Sequence, residues 1–209
     1  KMTIAVIDYD AGNTANVLRA LNKIGVDAVL TADQAVIQSA DGLILPGVGA
    51  FPTAMAELEK RDLIATIKSA VATGTPLLGI CLGMQLLLDA SEEHVLTDGL
   101  GLIPGICRAI PAGDNLKVPH MGWNQLDVVK PTALTANLQD SAVYFVHSYF
   151  TDVAPDYLDV TADYGIKVPA MISHDHVYGA QFHPEKSGDV GLGILEKFKE
   201  VVYADSASN

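Results

Sequence analysis

The protein has 209 residues, 49% of them hydrophobic and 18% charged, with a formal net charge of −12. That length and apolar content suffice for a sizeable core and exclude disorder by composition; the acidic surplus serves solubility and argues against nucleic acid, whose phosphates need Lys and Arg. No apolar run reaches the ~20 residues of a membrane span, no signal peptide is expected, and Cys81 and Cys107, far apart and without ligand-type spacing, point to a reducing cytosol.

In chain order, Lys1 before Met2 is set aside as a processing remnant, and residues 3–7 are a short apolar run that ends in a turn at 8–13. Val17, Leu18, Leu21 and Ile24 then recur at helical spacing, and Gly25 ends that helix. Residues 27–30 and 42–45 read as strands, the second closed by Pro46-Gly47-Val48-Gly49. Helical stretches at 53–59 and 63–73 follow; Gly74-Thr75-Pro76 breaks the second, and 77–80 is a buried strand. After Cys81, residues 82–90 are apolar and helical. Strands alternating with helices imply a mostly parallel sheet with helices on both faces, a flavodoxin-like α/β fold.

The second half is β-rich. Residues 143–149, 157–162, 170–173 and 177–182 are its clearest strands, and 192–203 closes the chain as a helix. Residues 204–209 read as a frayed tail, which leaves 2–203 as one α/β domain with a β-rich addition.

Three segments carry chemistry. In Gly79-Ile80-Cys81-Leu82-Gly83 a small nucleophile sits between a buried strand and a helix, flanked by glycines that let the two pack closely. Such an elbow lifts the sulfur above the C-terminal edge of the sheet, where α/β folds bind ligands. In Phe182-His183-Pro184-Glu185 the proline pushes His183 into extended backbone, and residues two apart in such backbone point the same way. Glu185 is then placed to hold the imidazole of His183 while its other nitrogen serves Cys81 as base. Pro46-Gly47-Val48-Gly49 follows a strand and can present backbone N–H groups to an oxyanion, with Leu82 as the second donor. Cys107 lacks such a setting and reads as structural.

Together and in this order, these segments resemble the class I (triad-type) glutamine amidotransferases over nearly the whole chain. Pro119-His120-Met121-Gly122-Trp123-Asn124, Tyr144-Phe145-Val146-His147-Ser148-Tyr149 and the opening Ile7-Asp8-Tyr9 with Gly12-Asn13 narrow the likeness to the glutaminase subunits of imidazole glycerol phosphate synthase. The resemblance implies a catalytic set of Cys81, His183 and Glu185. It implies an oxyanion hole framed by Val48, Gly49 and Leu82, and glutamine held by Gly47, Gln85, His147, Ser148 and Tyr149. It implies a partner, the (β/α)8-barrel cyclase subunit, contacted through Asn13, Pro119, Met121, Trp123 and Asn124. No metal or organic cofactor is implied. The chain departs from the family pattern at Asp10, where Gly is usual, and at Gly188, where Gln is common.

Two other readings remain open: a glutaminase serving another synthase, such as that of pyridoxal phosphate or anthranilate, and a catalytically silent assembly subunit. Trp123 is equally compatible with an interface and a core position. His174 and His176 lack a third ligand, and Glu92-Glu93 reads as a solvated helix end.

Overall fold

The computed structural model describes residues 2–113 and 116–207. Its first half runs β1 (Ile4–Ile7), α1 (Thr14–Lys23), β2 (Val29–Thr31), α2 (Gln34–Ser39), β3 (Gly42–Leu45), α3 (Phe51–Lys60), α4 (Leu63–Ala72), β4 (Leu77–Ile80) and α5 (Leu82–Leu86). The second half runs β5 (Ala90–Ser91), β6 (Thr97–Asp98), β7 (Ile106–Ala109), β8 (His120–Val128), β9 (Ala142–His147), β10 (Tyr149–Asp152), β11 (Leu158–Asp163), β12 (Lys167–His174), β13 (Val177–Ala180) and α6 (Gly188–Ala207).

β1, β3 and β4 are buried at every position, as the interior strands of a parallel sheet covered on both faces must be. The large sheet has the order β2-β1-β3-β4-β13-β12-β11-β8-β9. Its first five strands are parallel, and the rest continue it in antiparallel pairs. One hydrophobic core joins this sheet to α1 and α6 through Val17, Leu21, Leu195 and Phe198. The other joins the opposite face to α2, α3 and α4 through Ile37, Phe51, Leu58 and Ile67. The expected α/β architecture is therefore present, and the β-rich addition includes a small second sheet, β10-β7-β5-β6.

One pairing positions the chemistry. β13 lies parallel to β4 with Gly179 opposite Gly79 and Ala180 opposite Ile80. Both strands thus end at the same sheet edge, and the residues that follow them, Cys81 and Gln181 to Glu185, meet there. The backbone bond from the Cys81 N–H to the Ala180 carbonyl, 2.8 Å, fixes the junction.

Several boundaries differ from expectation. α5 stops at Leu86, and Ala90–Ser91 joins the small sheet instead of continuing the helix. The expected strand 143–149 is two strands in different sheets, broken at Ser148. α6 starts at Gly188 and runs through Ala207 into the expected tail, where the Ser206 hydroxyl stands 3.5 Å from Asp41. Asp10 adopts φ +68°, a left-handed conformation in which the family's glycine would be unstrained. Lys1 lies outside the described residues.

Candidate active site

Cys81 joins β4 to α5 with φ 56° and ψ −115°, a backbone conformation that side-chain-bearing residues rarely adopt. The surroundings hold it there. A Cβ on Gly83 would stand 1.9 Å from the Leu45 carbonyl oxygen, and one on Gly79 would stand 2.6 Å from the Gly83 oxygen. Only glycine at both places lets α5 sit this close to β3 and β4. Leu82 opens α5, so its N–H has no carbonyl partner within the helix.

His183 is extended, with φ −99° and ψ 100°, ahead of the short 3-10 turn Pro184–Lys186. Its Nδ1–H donates to Glu185 Oε2 at 2.9 Å, and both side chains are almost fully buried. The same Oε2 accepts from the Asn13 amide at 3.2 Å. Burial works to lower the pKa of His183, but hydrogen bonds to Cys81 and Glu185 and their negative charges prevail and raise it to about 9. The direction favours the protonated form of the ring that faces the sulfur. Asn13, expected at a partner interface, has its amide committed to the third member of this set.

A pocket of about 350 Å³ opens over the sulfur, a size at the small end of ligand sites. Cys81, Leu82, Gln85 and His183 line it, as do Val48, Gly49, His147, Ser148 and Tyr149. Pro119, expected at the interface, lines it too. Gly47 does not. It lies in an adjoining crevice, where a Cβ would meet the Tyr9 hydroxyl at 2.6 Å and the Gly83 nitrogen at 2.9 Å. The Tyr9 hydroxyl donates to the Pro46 carbonyl at 2.6 Å and so braces the segment that carries Val48. Burial, reinforced by the charge of Cys81, pushes the Tyr9 pKa well above its usual value, which keeps it a donor. Val48 itself is 41% exposed, and Gly49 has φ +101°.

His147 lines the pocket with both ring nitrogens engaged. Nδ1 donates to the Tyr149 carbonyl at 2.7 Å, and Nε2 meets His120 Nδ1 at 2.8 Å. Neither ring nitrogen is left without a protein partner. Burial pulls its pKa down to about 4, against the hydrogen bond to Tyr149, which raises it. The His120 ring stacks on Phe145 and Tyr164, and its Nε2 lies 2.9 Å from the Asn124 amide oxygen. Asn124, another expected interface residue, also donates to the Asp163 carbonyl. Met121 and Trp123 are 60% and 58% exposed on the other side of β8, so Trp123 is not a core residue.

Glu93 was not legible as a site residue. It is no helix end: α5 stops at Leu86, and the chain returns through β5 to bring Glu93 to the pocket. Its carboxylate accepts the Phe51 N–H at 2.8 Å, supplying α3 with the cap that Ala50 lacks. Gln181, fully buried, was also missed; its amide lies 3.9 Å from the Cys81 sulfur. His176 bonds the Val71 carbonyl, and among the described residues no group of three or more His, Cys, Asp or Glu side chains could hold a metal ion. Cys107 is buried, and its thiol is pushed up to about 12, chiefly by that burial.

A cysteine at a strained elbow and a carboxylate-held histidine facing one small pocket define an α/β class of hydrolase with a sulfur nucleophile. The profile described as "Glutamine amidotransferase class-I" matches residues 5–200, and the chain belongs to that family. Close relatives within the family are subunits of one enzyme. The chain is 66% identical to "Imidazole glycerol phosphate synthase subunit HisH" of Streptococcus sanguinis over 97% of this chain and 98% of that protein. Its identity to the subunit of the same name from Streptococcus mutans is 69%, over 95% and 98% of the two chains. The Listeria monocytogenes counterpart is 52% identical over 98% and 99%. Solved structures share the fold at low identity. PurLQS from Thermotoga maritima aligns with a TM-score of 0.76 at 17% identity, over 97% of this chain and 99% of that one. A glutamine amidotransferase from the same organism aligns with a TM-score of 0.59 at 18% identity, over 98% and 85%.

Proposed function

We propose that this chain is the glutaminase subunit of imidazole glycerol phosphate synthase, hydrolysing glutamine at Cys81 and passing the ammonia to a (β/α)8-barrel cyclase subunit. The cyclase combines that ammonia with a phosphorylated ribulosyl intermediate to give imidazole glycerol phosphate and an aminoimidazole carboxamide ribotide. The observation that carries the chemistry is the convergence of the Cys81 elbow and the His183–Glu185 pair on one pocket. The names of the 52–69% identical relatives support the destination of the ammonia.

In this reading the Cys81 sulfur attacks the carboxamide carbon, and the oxyanion forms against the backbone N–H groups of Leu82 and of the Val48–Gly49 segment. His183 takes the Cys81 thiol proton and gives it to the departing nitrogen, the C–N bond breaks, and a thioester remains. Water, activated by the now neutral His183, hydrolyses the thioester to glutamate and restores the thiol. Glu185 orients the imidazole, and Asn13 orients Glu185. Glu93, the acidic side chain at the pocket, suits the α-ammonium of glutamine, and Gln85, Ser148 and Tyr149 flank the rest.

The partner docks through Met121 and Trp123. The two chains form a heterodimer in the cytoplasm that channels ammonia out of contact with water. The isolated glutaminase is nearly idle, because Val48, between two glycines, can present the wrong face of its peptide to the oxyanion until the partner binds.

The test compares ammonia release from glutamine with and without the cyclase and its nucleotide substrate. Activity that rises on complex formation is expected. Cys81→Ala should abolish it while leaving assembly intact. Ammonia release at the wild-type rate by Cys81→Ala would remove the nucleophile assignment. Activation by a different synthase instead would redirect the product.

A further inference from the structure

From a chain of amides beneath the pocket we infer that Gln181 is a positioning residue that directs an N–H donor at the Cys81 sulfur and so favours its anionic form. The inference rests on the proposed role of Cys81 as nucleophile.

The polarity of this chain follows from its anchor. The Tyr149 carbonyl oxygen can only accept hydrogen bonds, and Gln85 Nε2 reaches it at 3.3 Å. The Gln85 amide is thereby oriented nitrogen-first. That nitrogen also donates to Gln181 Oε1 at 3.1 Å. Gln181 must then turn its own Nε2 the other way, toward Cys81 Sγ at 3.9 Å. Reversing the Gln181 amide would set an NH2 against the Gln85 NH2 and a carbonyl oxygen against the sulfur, two losses at once. Gln181 is fully buried and Gln85 is 5% exposed, so neither amide has a solvent alternative.

The sulfur's other neighbour across the pocket is an acceptor, the Val146 carbonyl at 3.9 Å. The thiol can donate to Val146 and accepts only weakly from Gln181, whereas the thiolate accepts strongly from Gln181. A buried, pre-oriented donor is therefore a fixed preference for charge on sulfur, acting beside His183 rather than through it. The same donor also restrains the sulfur's rotamer under the pocket.

The experiment reads the sulfur directly in the full-length chain, by its rate of alkylation with iodoacetamide from pH 5 to 9, followed by mass spectrometry of the Cys81 peptide. Gln181→Met keeps the shape and removes the donor. Its alkylation at pH 7 is expected to be about tenfold slower than wild type, the low end for a hydrogen bond to a charged group. The deficit should close as pH rises, since more alkaline solution restores the thiolate. A pH–rate curve that coincides with wild type in a folded Gln181→Met protein overturns the inference. So does a uniform slowing at all pH values, which would mean altered access alone. Should Gln181→Met not fold, Gln85→Met removes the orienting bond, and because Gln85 also lines the pocket the pH dependence, not the absolute rate, is the readout. That variant should slow alkylation about threefold at pH 7 with a deficit that closes as pH rises, and an unchanged curve or a uniform slowing there overturns the inference equally. Ammonia release by Cys81→Ala separates the two levels: a dead Cys81→Ala beside an unshifted Gln181→Met removes only the role of Gln181.

Discussion

Cys81 holds φ 56° because the packing around it leaves no alternative, and such conformations cost roughly 1–3 kcal/mol. The strain is tied to reactivity, since the same turn exposes the sulfur to the pocket and frees the first N–H of α5. Glycine bears no such cost at positive φ. Cys81→Gly and Cys81→Ala both remove the nucleophile, but only the second keeps a Cβ in this conformation. Urea unfolding is expected to find Cys81→Gly more stable than Cys81→Ala by about 1 kcal/mol. At an ordinary helix-capping position without backbone strain the two would differ little or in the opposite sense, so equal midpoints would count against strain at the elbow. The sequence made this residue legible through its flanking glycines and the strand before it. The imidazole partners were legible because proline fixes the backbone between His183 and Glu185. Gln181 and Glu93 were not. A glutamine in a strand-end run and a glutamate beyond a helix acquire meaning only from long-range neighbours, the sulfur of Cys81 and the open end of α3.

Among the elements, the buried parallel strands were the easiest to read, since four consecutive apolar residues between turn signals have few other uses. β8 escaped for the opposite reason. Its inward side carries His120, Gly122, Asn124 and Leu126, and its outward side carries Met121, Trp123 and Gln125, so polarity does not alternate with burial. What holds β8 to β9 is in part a polar contact, the buried His120–His147 pair. Burial pulls both rings below the ordinary histidine range, His147 to about 4. The unfolded chain, with ordinary histidines near 6.5, therefore binds more protons than the native one between about pH 6.5 and 4. Stability is complete above that window and falls as the pH falls through it, by up to about 1.4 kcal/mol per pH unit for one histidine. His147→Gln can still donate to the Tyr149 carbonyl, without a proton to gain. Urea midpoints at pH 7.5, 6.5, 5.5 and 4.5 should show a shallower acid loss in that variant. Parallel curves for variant and wild type would remove the histidine pair as the source. α2, with six residues and one buried side chain, was too short to show a helical period, although Asp33 caps it at Ala35 and Val36.

For the molecule as a whole, the decisive asymmetry is a solvent-facing apolar group beside the pocket. Val118, Met121 and Trp123 are exposed in one stretch, while Pro119 between them lines the pocket itself. Trp123 makes an edge contact with Tyr144 at 6.0 Å between ring centres, too little to bury it. An exposed tryptophan beside exposed Val118 and Met121 favours a partner over internal packing. The two roles predict different losses. As an interface anchor, Trp123→Ala should weaken binding to the cyclase by about 2 kcal/mol, roughly thirtyfold in dissociation constant. The free chain's unfolding free energy should then change by no more than about 0.5 kcal/mol, as for other surface substitutions. As a packing residue it would give the reverse, a loss of several kcal/mol in the free chain. Titration calorimetry on the complex and urea unfolding of the free chain measure both quantities on one variant. Because Pro119 borders both the exposed stretch and the pocket, the same variant should also lose part of its partner-stimulated glutaminase activity even at saturating cyclase. Full stimulation at saturation would mean that Trp123 contributes affinity alone and that the signal enters the pocket through another contact.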